Sequence, residues 1–385
     1  MPRYLEGNRI QLLRSGTEYF PALEREIKAA KSEVHLETYI FAGDATGLRF
    51  TDALCEAARR GVRVRVLVDG FGARDMPEAF RDQMRDAGVR LLVFRPEISR
   101  FRIKRHRLRR MHRKLAVVDA RVAFIGGINL VDDLDEPGLS SPRYDYAVRI
   151  DGELLGPIHR EAQRLWGQVA WASLRHRWHP RVQLDAVVAP CGTQRAALLV
   201  RDNIRHRTEI EEAYLSAIRA ARDEVVIANA YFLPGLEFRR ALIEAATRGV
   251  RVVLLLQGKV EYPLLHYASR ALYGFLLDSG VEIHEYRQSY LHAKVAVIDG
   301  RWATVGSSNI DPFSLMLARE ANVVIEDRGF AGELRQSLHR ALEAGSQTIR
   351  KGAWHAQPLH SRVTSWAAYG LTRLMIGMAG YTGQQ

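Results

Sequence analysis

The second half of the chain repeats the first, with small insertions and deletions. EAARRGVRVRVLV at 56–68 recurs as EAATRGVRVVLLL at 244–256, and AGVRLLVF at 87–94 recurs as SGVEIHEY at 279–286. This spacing is far longer than the ~20–50-residue period of solenoid repeats, which stack many small units. The chain is therefore predicted to contain one domain twice, with both halves adopting the same fold.

Within each half, amphipathic helices alternate with apolar strands. A predicted helix at 18–31 corresponds to one at 207–222, and each precedes an apolar strand. A second predicted helix stops at Gly61 in the first half and at Gly249 in the second, because glycine commonly stands just past a helix end. Such alternation is typical of a mainly parallel or mixed sheet covered by helices, so the predicted fold class is α/β. The predicted segments are a first lobe at 1–185, a second lobe at 186–350 and an amphipathic tail at 351–385.

The same constellation of polar residues stands at the matching place in each half. MHRKLAVVDARVAFIGGIN at 111–129 and LHAKVAVIDGRWATVGSSN at 291–309 both contain H-x-K-x4-D, followed by a glycine and an asparagine. One match of this kind arises easily by chance, but two at homologous positions of a duplicated domain do not. The candidate catalytic residues are the motif residues His112, Lys114, Asp119, His292, Lys294 and Asp299. The candidate phosphate-binding or supporting residues are Gly127, Asn129, Ser307, Ser308 and Asn309, with Asp145 and Glu320 downstream.

The spacing within each motif predicts which way its side chains point. The segment after each histidine alternates like a strand, in which residues two apart share a face. His112 and Lys114 are therefore expected to point the same way. Asp119 stands at an odd spacing from His112, so it is expected to point away and to cap the turn, as is Asp299 in the second motif. Asp299-Gly300 between two apolar runs also predicts a hairpin turn.

Small residues follow each hairpin, as GGIN in the first half and GSSN in the second. In the second half, Asp311-Pro312 is typical of a helix N-cap followed by proline at the first helical position. A loop of glycine and serine that opens a helix presents free backbone N–H groups to an anion. Each half is therefore expected to supply half of a phosphate-binding pocket.

A carboxylate opens a strand at the equivalent place in each half, Asp145 in DYAVRIDG and Glu320 in EANVVIED. A carboxylate that accepts the Nδ1 proton of a histidine fixes the tautomer and leaves Nε2 free as nucleophile or base. Asp145 and Glu320 are therefore predicted to orient the two histidines. Neither motif supplies a cluster of metal ligands, so neither a metal nor another cofactor is expected.

These motifs resemble those of the phospholipase D superfamily, and the resemblance covers nearly the whole chain. EGNRIQLL, NAYFLPG at 229–235, WATVGSSNIDP and REANVV are more closely similar to the bacterial cardiolipin synthases of that superfamily. The resemblance implies a duplicated α/β/α sandwich, with two lobes related by a pseudo-twofold axis and one active site between them. It also implies transfer of a phosphatidyl group from one phosphatidylglycerol to another, with release of glycerol.

The resemblance further implies a double displacement through a covalent phosphohistidine. His112 is expected to attack the phosphorus, and His292 to protonate the leaving glycerol and then deprotonate the incoming hydroxyl. The residues themselves do not distinguish the two histidines, so the reverse assignment stays open. The two lysines and the two asparagines would neutralise the non-bridging oxygens of the phosphate.

The charge of the chain favours a polyanionic partner, since 56 Lys and Arg exceed 44 Asp and Glu. Comparison of the halves reveals a basic insertion near 99–111 of the first lobe, with apolar residues interleaved. It is expected to bind an anionic membrane surface. The insertion residues predicted to bind the membrane are Arg102, Lys104, Arg105 and Arg107.

The C-terminal tail is the second candidate for membrane contact. WAAYGLTRLMIGMAGY at 366–381 begins with Trp366 and is apolar with aromatic ends. It predicts either a helix at the bilayer interface or a helix packed on the protein. The chain has two cysteines, no signal peptide and no apolar run long enough to span a bilayer. The expected location is therefore peripheral, at the cytoplasmic face of the inner membrane.

Two other functions compete with lipid synthesis. A nuclease or phosphodiesterase of the same superfamily would also fit the basic charge, but the resemblance along the chain and the apolar tail favour phosphatidylglycerol at an anionic membrane over nucleic acid. A catalytically inactive lipid-binding protein is disfavoured because histidine and lysine are intact in both motifs.

Overall fold

The computed structural model describes residues 2–96, 109–133, 142–178, 186, 189–202 and 206–378. The elements of the first half are β1 (Leu5–Arg14), α1 (Ser15–Ala29), β2 (Glu33–Thr38), α2 (Ala45–Arg59), β3 (Arg63–Asp69), α3 (Glu78–Asp86), β4 (Arg90–Phe94), β5 (Lys114–Val118), β6 (Val122–Gly126), β7 (Tyr146–Asp151) and α4 (Leu155–Ala172).

The second half repeats this order and adds a C-terminal extension. Its elements are β8 (Gln194–Arg201), α5 (Glu209–Ala220), β9 (Glu224–Asn229), α6 (Leu236–Thr247), β10 (Arg251–Gln257), α7 (Pro263–Arg270), α8 (Tyr273–Asp278), β11 (Glu282–Tyr286), β12 (Lys294–Ile298), β13 (Trp302–Gly306), α9 (Pro312–Met316), β14 (Glu320–Glu326) and α10 (Arg328–Gly345). The extension comprises β15 (Ser346–Thr348), α11 (Lys351–His355) and α12 (Leu359–Met378).

The strands form a single mixed sheet in which the two halves are related by a pseudo-twofold axis. From the junction outward the first half runs β1-β7-β6-β5-β2-β3-β4, and the second runs β8-β14-β13-β12-β9-β10-β11 in the same order. β1 and β8 pair antiparallel across the junction, with Leu5 opposite Ala196. The expected mixed sheets of the two lobes are thus joined edge to edge, because pairing the two first strands satisfies backbone groups that would otherwise be exposed.

Local sequence explains where these elements begin and end. Strands β2 and β9 are buried on both faces, which the mostly apolar sequence of β9 predicts, whereas β2 buries the polar side chains of Glu33, His35 and Glu37. Asp44 caps α2 by accepting a hydrogen bond from the Gly47 N–H at 2.8 Å. Gly61 and Gly249 follow α2 and α6 with φ of 89° and 88°, so both predicted helix stops are confirmed.

Four clusters of buried side chains stabilise the described part of the molecule, of which the smallest packs α4 against β3 and β4. Of the other three, one belongs to the first half alone, beneath α1 and α2, and one to the second half alone, beneath α5 and α6. The third is shared, and packs Leu115 and Ile158 of the first half with Val295, Val323 and Leu334 of the second. The predicted α/β/α sandwich is confirmed. Because the inner core is shared, the two halves hold the ends of β5 and β12 at a fixed separation.

Candidate active site

The motif histidines stand at equivalent places, two residues before β5 and β12. The backbone N–H of His112 donates to the Arg319 carbonyl at 2.9 Å, and that of His292 donates to the Tyr144 carbonyl at 2.9 Å. Each histidine backbone is therefore tied to the opposite half of the chain. The next residue after each of those carbonyl groups is a carboxylate, Glu320 after Arg319 and Asp145 after Tyr144.

Each imidazole is hydrogen-bonded to a carboxylate of the other half. His112 Nδ1 lies 3.0 Å from Glu320 Oε1, and His292 Nδ1 lies 2.6 Å from Asp145 Oδ2. The carboxylates are 0% and 4% exposed. This contact leaves Nε2 of each ring as the atom that can react. Both carboxylates were predicted from the sequence, but the exchange of partners between the halves was not.

The two carboxylates are supported differently. Ser307 Oγ donates to Glu320 Oε2 at 2.5 Å. Gly127 occupies the corresponding place beside Asp145, where an added Cβ would approach Asp145 Oδ1 to 2.3 Å. Asp145 instead accepts a hydrogen bond from the Tyr146 N–H at 2.7 Å. Serine and glycine at this position therefore each fit the carboxylate of their own half.

The expected anion cradle of free backbone amides is wrong for Gly127, Ser307 and Ser308. Their N–H groups donate to the Tyr146 carbonyl at 2.9 Å, to the Ala321 carbonyl at 3.1 Å and to Asn322 Oδ1 at 3.3 Å, respectively. These loops run beside a neighbouring strand, whose acceptors take up the N–H groups. The predicted N-cap is confirmed, since Asp311 Oδ1 accepts from the Ser314 N–H at 3.1 Å.

The motif lysines are buried behind the histidines. Lys114 is 2% exposed and donates from Nζ to the His112 carbonyl at 2.6 Å. Lys294 is fully buried and donates to the His292 carbonyl. Burial lowers the pKa of Lys114 to about 7, with Lys294 adding to the shift, and burial lowers the pKa of Lys294 to about 8. The two amines raise the electrostatic potential behind the histidines without lying on the cavity wall.

The same environment acts on the histidines. Burial lowers the pKa of His112 against the opposing effect of Glu320. It lowers the pKa of His292 well below the ordinary value, and the positive charges of Lys294 and Lys114 add to this effect. Burial also raises the pKa of Asp145 to about 6. The site therefore favours neutral imidazoles, the form that can act as a nucleophile.

The motif aspartates lie away from the histidines, so the set of six predicted catalytic residues is corrected to four. Asp119 accepts hydrogen bonds from the backbone N–H groups of Lys31, Ser32 and Glu33 at 2.7–3.2 Å. Asp299 accepts from the N–H groups of residues 222–224 at 2.9–3.3 Å. This agrees with the odd spacing in the sequence. Both aspartates adopt a positive φ at the hairpin turn and join it to the start of a parallel strand.

Both histidines line one cavity of about 320 Å³ between the halves. Asn129 and Asn309 are also on its wall, as predicted for phosphate contacts. Tyr39 packs its ring against His112, with ring centroids 4.9 Å apart. Among the described residues, no group of three or more His, Cys, Asp or Glu side chains is placed to hold a metal ion.

Sequence reasoning missed several charged residues of this cavity, among them Arg110, Asp133, Arg143 and Glu261. Glu261 Oε2 accepts a hydrogen bond from the Tyr231 hydroxyl at 2.6 Å, and Glu261 Oε1 lies 3.3 Å from Arg143 Nη1. Neither Arg143 nor Glu261 belongs to the repeated motif, and their equivalents in the other half are Ala318 and Ala73. The sequence did offer a signal for these two residues, because the halves differ at both positions. Glu261 follows an apolar strand, and Arg143 stands two residues before the candidate carboxylate Asp145.

A family model described as "Cardiolipin synthase, PLD-like domain" matches residues 23–166 and 214–342, once in each half. The chain belongs to the phospholipase D superfamily. The two matches correspond to the two halves related by the pseudo-twofold axis of the structure.

Relatives within the superfamily are similar in sequence to this protein over most of its length. Cardiolipin synthase B of Escherichia coli strain K12 is 42% identical over 345 residues, which cover 89% of this chain and 83% of the relative. A cardiolipin synthase of Oceanobacillus iheyensis is 29% identical over 90% of this chain and 71% of the relative. The crystal structure of phosphatidylserine synthase from Haemophilus influenzae has the same fold, with a TM-score of 0.71 at 15% identity over 95% of this chain and 94% of that chain. This superfamily member is a phosphatidyltransferase of the phospholipase D type.

The predicted membrane contacts fall in two places. The insertion residues Arg102, Lys104, Arg105 and Arg107 lie outside the described residues. Trp366 lies on α12 and is 56% exposed, although α12 packs against α7. In the part of this protein that the structure describes, no helix combines the length and apolar character needed to cross a bilayer.

Proposed function

We propose that this protein makes cardiolipin by transferring the phosphatidyl group of one phosphatidylglycerol to the hydroxyl of another, with release of glycerol. The observation that carries the proposal is the pair of buried histidines facing one cavity, each hydrogen-bonded to a carboxylate of the opposite half. Two such residues on one cavity permit a double displacement, in which one attacks and the other transfers protons. The cardiolipin synthases that resemble the chain along most of its length support this substrate.

In the first step, His112 Nε2 attacks the phosphorus of the first phosphatidylglycerol. The P–N bond forms, the bond to the glycerol oxygen breaks, and His292 gives its proton to that oxygen. In the second step, His292 takes the proton from a hydroxyl of the second phosphatidylglycerol. That oxygen attacks phosphorus, the P–N bond breaks and His112 is regenerated as a neutral imidazole.

The positive field of the site supports both steps. Lys114 and Lys294 lie behind the two histidines, and Asn129 and Asn309 are placed on the cavity wall to donate to phosphate oxygens. A bound phosphodiester carries a negative charge, which raises the pKa of both lysines and favours the protonated form of His292. Substrate binding thus prepares the acid that the first step needs. Asp145 and Glu320 act by holding the imidazoles in the required tautomer.

We also propose that α12 rests on the membrane from which the lipid enters. Its inward face is buried, with Ser365, Thr372 and Ile376 at 5%, 0% and 3% exposure. Its outward face carries large apolar side chains at 40–74% exposure, namely Leu359, Val363, Trp366, Leu371, Leu374 and Met375.

A helix that exposes several large apolar residues on one side is typical of a surface-binding helix. α12 packs on α7, and the α7 residue Leu265 lines the cavity, so α7 connects the cavity wall with the helix that we propose as the membrane contact. We propose the cytoplasmic face of the cell membrane as the site of this contact.

The test is to incubate the purified protein with phosphatidylglycerol vesicles in EDTA and to measure cardiolipin and glycerol by mass spectrometry. Equal amounts of the two products are expected, since each transfer releases one glycerol. A parallel incubation with labelled single-stranded DNA tests the nuclease alternative. Cleavage of DNA without cardiolipin synthesis would overturn the proposal.

A further inference from the structure

The two sides of the cavity differ although the motif residues are symmetric. The ring of Tyr39 packs against His112, and Lys114 Nζ lies 5.3 Å from the Tyr39 ring centroid. Following the repeat, Tyr39 corresponds to Ala230 in the second half. The second half therefore lacks a counterpart of the ring that packs against His112.

A charged and hydroxyl-bearing cluster takes this place on the His292 side. Glu261 Oε2 accepts from the Tyr231 hydroxyl at 2.6 Å, and Arg143 Nη1 donates to Glu261 Oε1 at 3.3 Å. The side chains of Arg143 and Glu261 are 17% and 21% exposed, and all three residues line the cavity together with His292. Arg143 is contributed by the first half and the other two by the second, so the cluster closes only when the halves meet.

The chemistry of the cluster suits hydroxyl groups better than phosphate. Burial alone would raise the pKa of Glu261, but His292, the Tyr231 hydroxyl and Arg143 outweigh it and the pKa is lowered. Glu261 is thus an anion, which repels phosphate. A carboxylate has about four acceptor positions, of which Tyr231 and Arg143 use two, and it accepts hydroxyl hydrogen bonds strongly. Arg143 balances its charge, so a neutral polyol suits the cluster better than a cationic headgroup.

We propose that Arg143, Tyr231 and Glu261 form the alcohol subsite of the enzyme, which binds the glycerol hydroxyls of the leaving and entering headgroups. The inference rests on the proposed transfer between phosphatidylglycerol molecules. Because the subsite adjoins His292, the alcohol oxygen is placed beside that histidine. This supports His292 as the acid and base and His112 as the nucleophile, a choice that the symmetric motifs leave open.

The experiment compares two alcohols as acceptors for one phosphatidyl donor. Wild-type protein and the variants Glu261→Gln and Tyr231→Phe are given short-chain phosphatidylglycerol with labelled glycerol or with 1-propanol, which has a single hydroxyl. The rates of label exchange into phosphatidylglycerol and of phosphatidylpropanol formation are measured. Matched controls are Glu237→Gln and Tyr267→Phe, which change exposed residues away from the cavity.

The wild type and both controls should prefer glycerol, and each cavity variant should lose about tenfold of that preference, the effect of removing a hydrogen bond to a charged group. Phosphatidylpropanol formation shows that each variant is folded and active. An unchanged preference in both variants, or a parallel loss of both reactions, would overturn the subsite. Failure of the wild type to make cardiolipin from phosphatidylglycerol would instead overturn the proposed function, even if alcohol choice followed Glu261.

Discussion

Glu320 orients a histidine that stands 208 residues before it in the chain: its Oε1 lies 3.0 Å from Nδ1 of His112. The corresponding contact joins Asp145 to His292 across the same pseudo-twofold axis. Each half therefore holds a reactive imidazole whose orienting carboxylate belongs to the other half. Neither half contains a complete histidine–carboxylate pair, and the junction between the halves becomes a requirement for activity.

The first prediction concerns this crossed contact. Glu320→Gln keeps the size of the side chain but removes the charge that selects the Nδ1–H tautomer of His112. The kcat should fall by roughly 10²–10⁴-fold, as when histidine-orienting carboxylates are changed to amides elsewhere. Glu326→Gln, at the partly exposed end of the same strand, is the matched control and should stay near wild type. Equal activity of the two variants would show that the contact does not serve catalysis.

The second prediction concerns the covalent intermediate. Acid-quenched enzyme given phosphatidylglycerol labelled in the phosphatidyl group should carry the label on His112, because the alcohol subsite places His292 at the leaving oxygen. His292→Ala should still accept some label while turnover falls by several orders of magnitude, and His112→Ala should accept none. Peptide mapping by mass spectrometry identifies the labelled residue. Label on His292 in the wild type would reverse the assignment, and near-normal turnover of either variant would exclude the two-histidine mechanism.

The third prediction concerns pH. Burial and the charge of Lys294 lower the pKa of Lys114 to about 7, so the free enzyme loses this positive charge as pH rises through that value. Since kcat/KM follows the free enzyme, it should decline above about pH 7 as phosphate attraction weakens. The bound phosphodiester raises the lysine pKa, so kcat should decline only at higher pH. Rates measured with detergent-dispersed short-chain phosphatidylglycerol provide both pH profiles. If kcat and kcat/KM decline over the same alkaline pH range, the assignment of this decline to Lys114 is wrong.

The fourth prediction separates the motif aspartates from catalysis. Asp299→Ala removes the acceptor for the N–H groups of residues 222–224, so the free energy of unfolding should fall by about 1–3 kcal/mol. The pKa of Asp299 is lowered by these N–H groups against burial, so its contribution is present at neutral pH and disappears as pH falls through the lowered pKa. Denaturant unfolding measures the loss. Below the melting transition kcat/KM should change little, and a large fall in kcat with unchanged stability would return Asp299 to the catalytic set.

The fifth prediction concerns α12. Trp366→Ser and Leu374→Ser should each weaken binding to phosphatidylglycerol vesicles by about tenfold or more, the value of burying a large apolar side chain. Both side chains are more than half exposed, so folding should be unaffected. Leu48→Ser is the matched control, because Leu48 is 45% exposed on α2 of the other half. Vesicle flotation measures the affinity. If both α12 variants float with the vesicles as well as the wild-type protein does, this helix is not the membrane contact.

Much of the site follows from local sequence. The repeat predicts two equivalent halves, and the strand period of two predicts that Lys114 shares a side with His112 while Asp119 points away. Asp299-Gly300 predicts the hairpin, because positive φ is required there and these residues tolerate it. Both orienting carboxylates could also be named, since each opens a strand at the same place in its half.

Only the tertiary structure decided which partners meet. Gly127, Ser307 and Ser308 are typical of an anion loop, yet their N–H groups are taken by a neighbouring strand, because pairing depends on what packs beside the loop. Glu320 meets His112 rather than His292 because the β1–β8 junction and the shared core bring opposite halves into register. Local propensity and period act over a few residues, whereas the loop contacts span 14–19 positions and the histidine–carboxylate contacts span 147 and 208. Their geometry is set by how two folded halves bury a common apolar surface.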